Sequence, residues 1–218
     1  MSNEKLAKIP VASLKRLPLY LSVLQTLNQS NEKYISSGKI AELSNENASV
    51  VKKDLSFIIS KEGKPKLGYE INGLILDIES VLKFQKVQKA IIVGVGKLGT
   101  ALFHYQGFEK YNLQIVYGFD TNKSIVGTCF KGKEVFDISK ISEKLNGSDI
   151  KIGIITTPAQ FAQTTADLLV KNGIKAIWNF TSENLKLPEN IVVKNENLAT
   201  SLAILSKQLQ SAYHKEEN

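Results

Sequence analysis

Ala90-Ile91-Ile92-Val93-Gly94-Val95-Gly96-Lys97-Leu98-Gly99 is the stretch whose reading decides the fold. Four apolar residues ending at a glycine read as a buried strand. The next six residues are G-x-G-x-x-G, and Lys97–Phe108 continues in a helical pattern. A second strand is expected at Ile115–Phe119 and ends at Asp120, 21 residues past Gly99. Strand, glycine loop, helix, strand and acid in this order make the context in which the motif becomes a dinucleotide fingerprint. Gly94 would allow the tight turn, Gly96 a close approach of pyrophosphate, and Gly99 close packing of helix on strand. The helix start at Lys97 and Leu98 would offer free N–H groups to phosphate. Asp120 would accept from the adenine ribose hydroxyls and repel a 2′-phosphate, so NAD(H) is expected over NADP(H), an exclusion that Lys123 weakens. The competing reading is a packing turn without a ligand.

Downstream, Ile152–Ile155 reads as a strand, Gln160–Asn172 as a helix, Ala176–Trp178 and Ile191–Val193 as strands, and Leu198–Tyr213 as a terminal helix with Leu198, Leu202, Leu205 and Leu209 on one face. Alternating strands and helices predict a doubly wound parallel sheet. Thr156-Thr157-Pro158 directly follows a strand, where loops line the ligand crevice, and is expected beside the nicotinamide; an ordinary capping loop is the alternative.

Upstream, Arg16–Leu27, Ser37–Leu43 and Asn47–Ile59 carry helical periodicity, with Pro18 read as lying near a helix start. Lys61–Ile71 (KEGKPKLGYEI) is punctuated as a hairpin. Three helices and a basic hairpin describe a winged helix. Lys52 and Lys53 fall on its third helix, and Lys61, Lys64 and Lys66 on the wing, where lysines contact phosphates. Ser49, with Ser44, Asn45 and Asn47, would cap that helix or reach phosphates. A solvated lysine face is the alternative. The class is therefore α/β: a winged-helix domain over 1–80, a Rossmann domain over 81–197, and a terminal helix and tail over 198–218.

The 218 residues carry a net charge of +7, which permits nucleic-acid binding without requiring it. No apolar run approaches the length of a membrane span, and MSNEKLAKIP has no signal-peptide core, so a cytoplasmic protein without a membrane is expected. Cys129 is the sole cysteine; it excludes an internal disulfide and a cysteine-based zinc site, and no metal is expected. It reads as a small, partly buried residue, with a reactive thiol or intermolecular bridge as alternatives. Arg16 is the only arginine among 28 basic residues, a choice explained by drift or by need for a planar, permanently charged fork. A dehydrogenase would need a substrate domain and a proton-handling group. Little chain is left for the first, and the two histidines, His104 and His214, lie on a helix and in a polar tail.

Several stretches together resemble the Rex family of redox-sensing transcriptional repressors: IPVASLKRLPLYLSVLQTL, ISSGKIAELSN, VKKDLS, GYEINGL, GVGKLGTALFHYQGF, GFD, TTPAQFAQTTADLLVKNGIKAIWNF and LPENIVVKNENLATSL. They follow the family's order over roughly residues 9–205. The resemblance implies a homodimer whose last helix, here 198–213, is swapped between the two domains of the partner subunit. It implies that NADH releases operator DNA, that apo or NAD+-bound protein holds it, and that the chain is not an enzyme. It carries Gly94, Val95, Gly96, Lys97, Leu98, Gly99 and Asp120 over as cofactor ligands, and Tyr105 as the tyrosine that responds to nicotinamide redox state. Arg16 becomes a member of a switch network with Tyr105 and residue 197, where the family's aspartate is Asn197. From that departure we expect Arg16 to lack its counter-charge. The recognition helix also departs, with Val50 in place of a glutamine and Lys52 in place of an arginine. A Rex-like paralogue with altered or lost NADH response, or a small NAD-dependent oxidoreductase, are the alternative functions.

Overall fold

The computed structural model describes residues 9–30, 32–82 and 86–216, with side chains through residue 210. The N-terminal eight residues read for a leader, and the side chain of His214, lie outside the described residues. The chain forms two compact units, 1–86 and 87–218. The expected boundary after residue 80 falls inside a helix.

The first unit contains α1 (Val11–Gln29), β1 (Tyr34–Ile35), α2 (Ser37–Ser44), α3 (Ala48–Ser56), β2 (Tyr69–Glu70) and α4 (Ile71–Leu82). Ser36 caps α2 by accepting from the Lys39 N–H, and Asn47 caps α3 by accepting from the Ser49 N–H. Pro18 lies inside α1 rather than near its start. A proline there removes one helical hydrogen bond, and the buried stripe of Leu17, Tyr20, Leu21 and Leu24 holds the helix through it. The Lys61–Ile71 segment is not a regular hairpin. An isolated Lys64–Gly68 bridge closes its turn, and β2 pairs antiparallel with β1 from upstream. Pro65 has no N–H to donate, and Lys66 and Gly68 both take positive φ, so the segment coils instead of extending. At Gly68 a Cβ would lie 2.1 Å from the Ile35 carbonyl oxygen. α4 was not anticipated, although Ile71, Leu74, Ile78 and Val81 line its buried face at helical spacing.

Asp54 ties α1 to α3. It is 1% exposed, and its carboxylate accepts from Ser13 Oγ (2.7 Å), Arg16 Nη2 (2.8 Å) and Nε (2.7 Å), and Tyr20 Oη (2.9 Å). Burial would raise its pKa; bonds from Arg16, Ser13 and Tyr20 outweigh that and hold it below the ordinary value. Burial, then the bond to Asp54, pushes the Tyr20 phenol well up. The expectation that Arg16 lacks a counter-charge is thereby corrected: the guanidinium makes a two-pronged pair with Asp54 inside its own unit. This use of the fork is one lysine could not reproduce.

The second unit contains β3 (Gln88–Val93), α5 (Lys97–His104), β4 (Leu113–Asp120), β5 (Cys129–Phe130), β6 (Lys133–Asp137), α6 (Ile141–Leu145), β7 (Ile152–Ile155), α7 (Ala159–Lys171), β8 (Ala176–Asn179), β9 (Val192–Asn195) and α8 (Leu198–Glu216). The seven-stranded sheet has the order β5-β6-β4-β3-β7-β8-β9, parallel except for β5. Without β5 this is the doubly wound order of dinucleotide-binding folds. α5 stops at His104, short of the expected Phe108, because Tyr105 turns extended and a 3-10 turn, Gln106–Tyr111, follows. The β5–β6 hairpin was also unanticipated. Its Lys131-Gly132 corner has positive φ at both residues, a conformation that Asn-Gly usually signals. One apolar layer, including Ile91, Phe119 and Leu169, lies on the α6–α7 face; another, including Ile92, Phe103 and Ile154, packs with residues from α5 and its 3-10 turn. Cys129 is exposed, against the expectation of partial burial.

Asp54→Ala should lower stability by about 3 kcal/mol, as for one partner removed from a buried ion pair. A depressed carboxyl pKa stabilises fully above the unfolded value of about 4 and loses its effect as pH falls through the folded value. Urea unfolding of both proteins from pH 7 downward should therefore show the gap narrowing toward acid. A gap independent of pH contradicts the ionised assignment.

Candidate nucleotide cleft and nucleic-acid interface

Ligands of doubly wound sheets bind outside the carboxyl ends of the strands, where strand order reverses. Here that point lies between β3 and β7, where the glycine loop meets the Thr156–Pro158 loop. The Thr156 N–H donates to the Val93 carbonyl (3.0 Å) and its Oγ1 donates to the Gly94 carbonyl (2.6 Å). Gly94 has φ +93°, and a Cβ there would lie 2.8 Å from the Thr156–Thr157 backbone. A Cβ on Gly99 would lie 2.0 Å from the Gly94 carbonyl oxygen. Packing alone therefore requires glycine at both.

Gly96 differs. Its φ is −71°, which any residue adopts, and a Cβ would meet nothing within 4 Å. Neither conformation nor packing requires glycine there. The free space belongs to the cleft, at the start of α5, where no side chain caps the helix. A bare backbone at an uncapped helix start suits an anion that must approach closely.

A cavity of about 420 Å³ opens on this point, lined by Gly94, Gly96, Asp120, Thr156, Thr157 and Pro158, with Thr121, Asn122, Ile125, Ile138, Phe161, Thr164, Thr165 and Leu168 also on its wall. A second hollow is lined by Val95, Gly96, Lys97 and Thr100 on one side and Ser124, Ile125, Thr128 and Phe130 on the other. Gly96 and Ile125 border both, as an extended two-part ligand crossing the loop would need. Thr157 Oγ1 is buried without a hydrogen-bond partner, and such a group calls for a partner. Asp120 is pre-set: Oδ2 accepts from the Val95 N–H (2.6 Å) and Oδ1 from the Asn122 N–H (2.8 Å). These residues fit a dinucleotide.

Leu98 and Gly99 border neither hollow, Gly99 serving packing. Tyr105 also lies outside both. It is 59% exposed, its ring lies over Gly107 so closely that a Cβ there would come within 2.4 Å, and it meets Phe108 edge-on. Asn197 caps α8, its Oδ1 accepting from the Thr200 N–H (2.9 Å). Phe161, Thr164, Thr165 and Leu168 escaped the sequence reading, although their spacing marks one face of α7. Ile125 and Ile138, in loop and 3-10 turn, carry no such signal.

On the first unit, α3 buries Val51, Asp54 and Leu55 and exposes Ser49, Lys52, Lys53 and Ser56. Its outward face is thus basic and hydroxylic. Ser49 Oγ is engaged with Asn47 Oδ1 (2.8 Å). Lys61, Lys64 and Lys66 are exposed on the wing, and Lys64 Nζ is steadied by the Tyr34 hydroxyl at 3.0 Å. Among the described residues no His, Cys, Asp and Glu group could hold a metal, and no helix is long and apolar enough to cross a membrane.

A family model described as "CoA binding domain" matches residues 85–183, and one described as "Putative DNA-binding protein N-terminus" matches residues 8–56. The redox-sensing transcriptional repressor Rex of Bacteroides fragilis is 40% identical over 202 residues, covering 93% of this chain and 91% of that protein. Rex of Porphyromonas gingivalis is 37% identical, covering 94% and 93%. This chain belongs to the Rex family. Among solved structures, the Rex-family repressor RSP in complex with β-NAD+ and operator DNA superposes with a TM-score of 0.86 at 33% identity, covering 96% of both chains. RSP in complex with β-NADH gives 0.84 at 32%, covering 96% and 98%. The Rex relatives are named as repressors rather than enzymes.

Gly96→Val should leave Tm within about 3 °C, since the site is open, yet abolish NADH binding, whereas Gly99→Ala should lower Tm by about 5 °C or more. Loss of stability at Gly96 equal to that at Gly99 would return the loop to a packing role. For Asp120, NADH should bind at least about tenfold more tightly than NADPH, a difference of ~1.4 kcal/mol; equal affinities by calorimetry refute its assignment to the ribose.

Proposed function

We propose that this chain is a homodimeric, cytoplasmic repressor that holds operator DNA when apo or carrying NAD+ and releases it when NADH occupies the cleft. The single observation that carries the reading is Gly96, a glycine that the free fold does not need, set between two hollows in a chain of the Rex family. In this reading the pyrophosphate crosses Gly96 and the start of α5, Asp120 accepts the adenine ribose hydroxyls, and Thr157 Oγ1 bonds the ligand. The bound group supplies a signal rather than a reaction: its nicotinamide ring is cationic when oxidised and neutral when reduced.

Lys52 and Lys53 face the DNA from α3, with Lys61, Lys64 and Lys66 on the backbone beside the wing. Asp54, locked to α1, fixes how α3 presents those lysines. The dimer is supported by α8. Leu198, Leu202, Leu205 and Leu209 are each more than half exposed, an apolar stripe that a second copy would cover. Tyr105 stays a proposed responder to the nicotinamide, reached by leaving its seat on Gly107.

The DNA half of this reading has a direct test. Lys53→Ala should weaken binding to all sequences and flatten the slope of log K against log salt by about one ion, as for one lost phosphate contact. Altered sequence preference at an unchanged slope would make Lys53 a base reader instead. A wild type with no preference for any duplex sequence would sink the repressor reading.

A further inference from the structure

The cleft has a continuous physical connection to the root of α8. Thr156 and Thr157, on the cavity wall, directly follow Ile155, the last residue of β7. The Ile155 carbonyl accepts from the Phe180 N–H at 2.9 Å, just past the end of β8. The Phe180 ring lies on Trp178, centroids 4.5 Å apart. The Trp178 indole N–H donates to Glu196 Oε1 at 3.1 Å. Glu196 precedes Asn197, the residue that caps α8.

The joint at the end of this path is firmly built. Asn179 is 0% exposed and spends its amide on four hydrogen bonds with three residues: Nδ2 donates to the Glu183 carbonyl and to Asn195 Oδ1, and Oδ1 accepts from the Thr181 N–H and Oγ1. Its carbonyl accepts from the Glu196 N–H at 2.8 Å. The chain is therefore held rigidly up to Glu196 and leaves the sheet one residue later. Lys194 Nζ also sits on Glu196 Oε1, at 3.1 Å. The only side-chain bond that joins the aromatic layer to this exit is the one from Trp178, among those described. Phe108 packs edge-on against Trp178 at 5.8 Å, and Tyr105 against Phe108 at 4.9 Å, so the same indole also meets the ring row after α5.

We propose that Trp178 and Glu196 are positioning residues, and that their hydrogen bond transmits occupancy of the cleft to the direction in which α8 leaves the sheet. This rests on the reading that the cleft takes a dinucleotide. A ligand that bonds the Thr156–Thr157 loop moves or stiffens the end of β7. Phe180 is bonded there, its ring carries the indole, and the indole carries the residue before the helix cap. An uncapped or redirected first turn of α8 then follows from a change at the cleft, with no contact between ligand and helix.

The test is hydrogen exchange on the full-length chain, free and with saturating NADH, for wild type, Trp178→Phe, Glu196→Leu and Glu196→Gln. Trp178→Phe keeps an aromatic ring but removes the donor; Glu196→Leu removes the acceptor; Glu196→Gln keeps an acceptor and removes the charge. In wild type NADH should slow exchange in the glycine loop and change exchange in the first turn of α8 by about tenfold, a local opening difference of ~1.4 kcal/mol. Trp178→Phe and Glu196→Leu should keep the glycine-loop effect and lose the α8 effect, and Glu196→Gln should retain both. If α8 responds in Trp178→Phe as in wild type, or fails to respond in wild type while the glycine loop is protected, the inference is overturned and the dinucleotide reading stands. If NADH leaves the glycine loop unprotected, both are overturned.

Discussion

The approach of Thr156 to Gly94 constrains the rest of the second unit. β3 and β7 lie side by side, and the chain leaving each must turn in opposite directions around the sheet. With Thr156 Oγ1 on the Gly94 carbonyl and the Thr156–Thr157 backbone where a Cβ on residue 94 would stand, the glycine loop has one available path. Gly99 then lies against the same carbonyl, and α5 begins after Gly96, which lies on the wall of the cleft. The space above Gly96 is what this crowding leaves open. The same contacts thus give the fold its close packing and the ligand its access.

The first unit depends on a comparable economy. One carboxylate, Asp54, collects four donors from three residues of α1. Its neighbours Lys52 and Lys53 face outward on the same short helix. A bond network that sets the rotation of α3 therefore also sets which side chains DNA would meet. Arg16 belongs to this network, and its planar fork spans both oxygens of Asp54. That gives the chain's lone arginine a structural reason that does not require residue 197. Asn197, for its part, works as a helix cap, a role in which asparagine and aspartate are near equivalents.

Legibility from sequence followed the strength of local patterning. The strand–glycine loop–helix stretch, Asp120 at the end of β4 and the Thr156 loop could be placed because each has a short-range signature. α4 was hidden by the wing's turn residues just before it, although Ile71, Leu74, Ile78 and Val81 carried its pattern. The β5–β6 hairpin was hidden because Lys131 takes a conformation usually signalled by asparagine. Pairing of β2 with β1 joins residues far apart in sequence, and no local pattern reports it. Asp54 follows Lys52 and Lys53 in the sequence with no local sign of burial; only the packing of α1 on α3 shows it to be buried. Phe161, Thr164, Thr165 and Leu168 read as an amphipathic helix, and which face met a cavity depended on the sheet order.

In the proposed function the cleft and the basic face of α3 belong to one switch set by nicotinamide redox state. The most direct measurement is fluorescence anisotropy of labelled operator bound to the purified protein, titrated with NADH and, separately, with NAD+. NADH should release the operator at concentrations where NAD+ leaves the complex intact. Equal release by both, or by neither while calorimetry shows NADH bound, would contradict it.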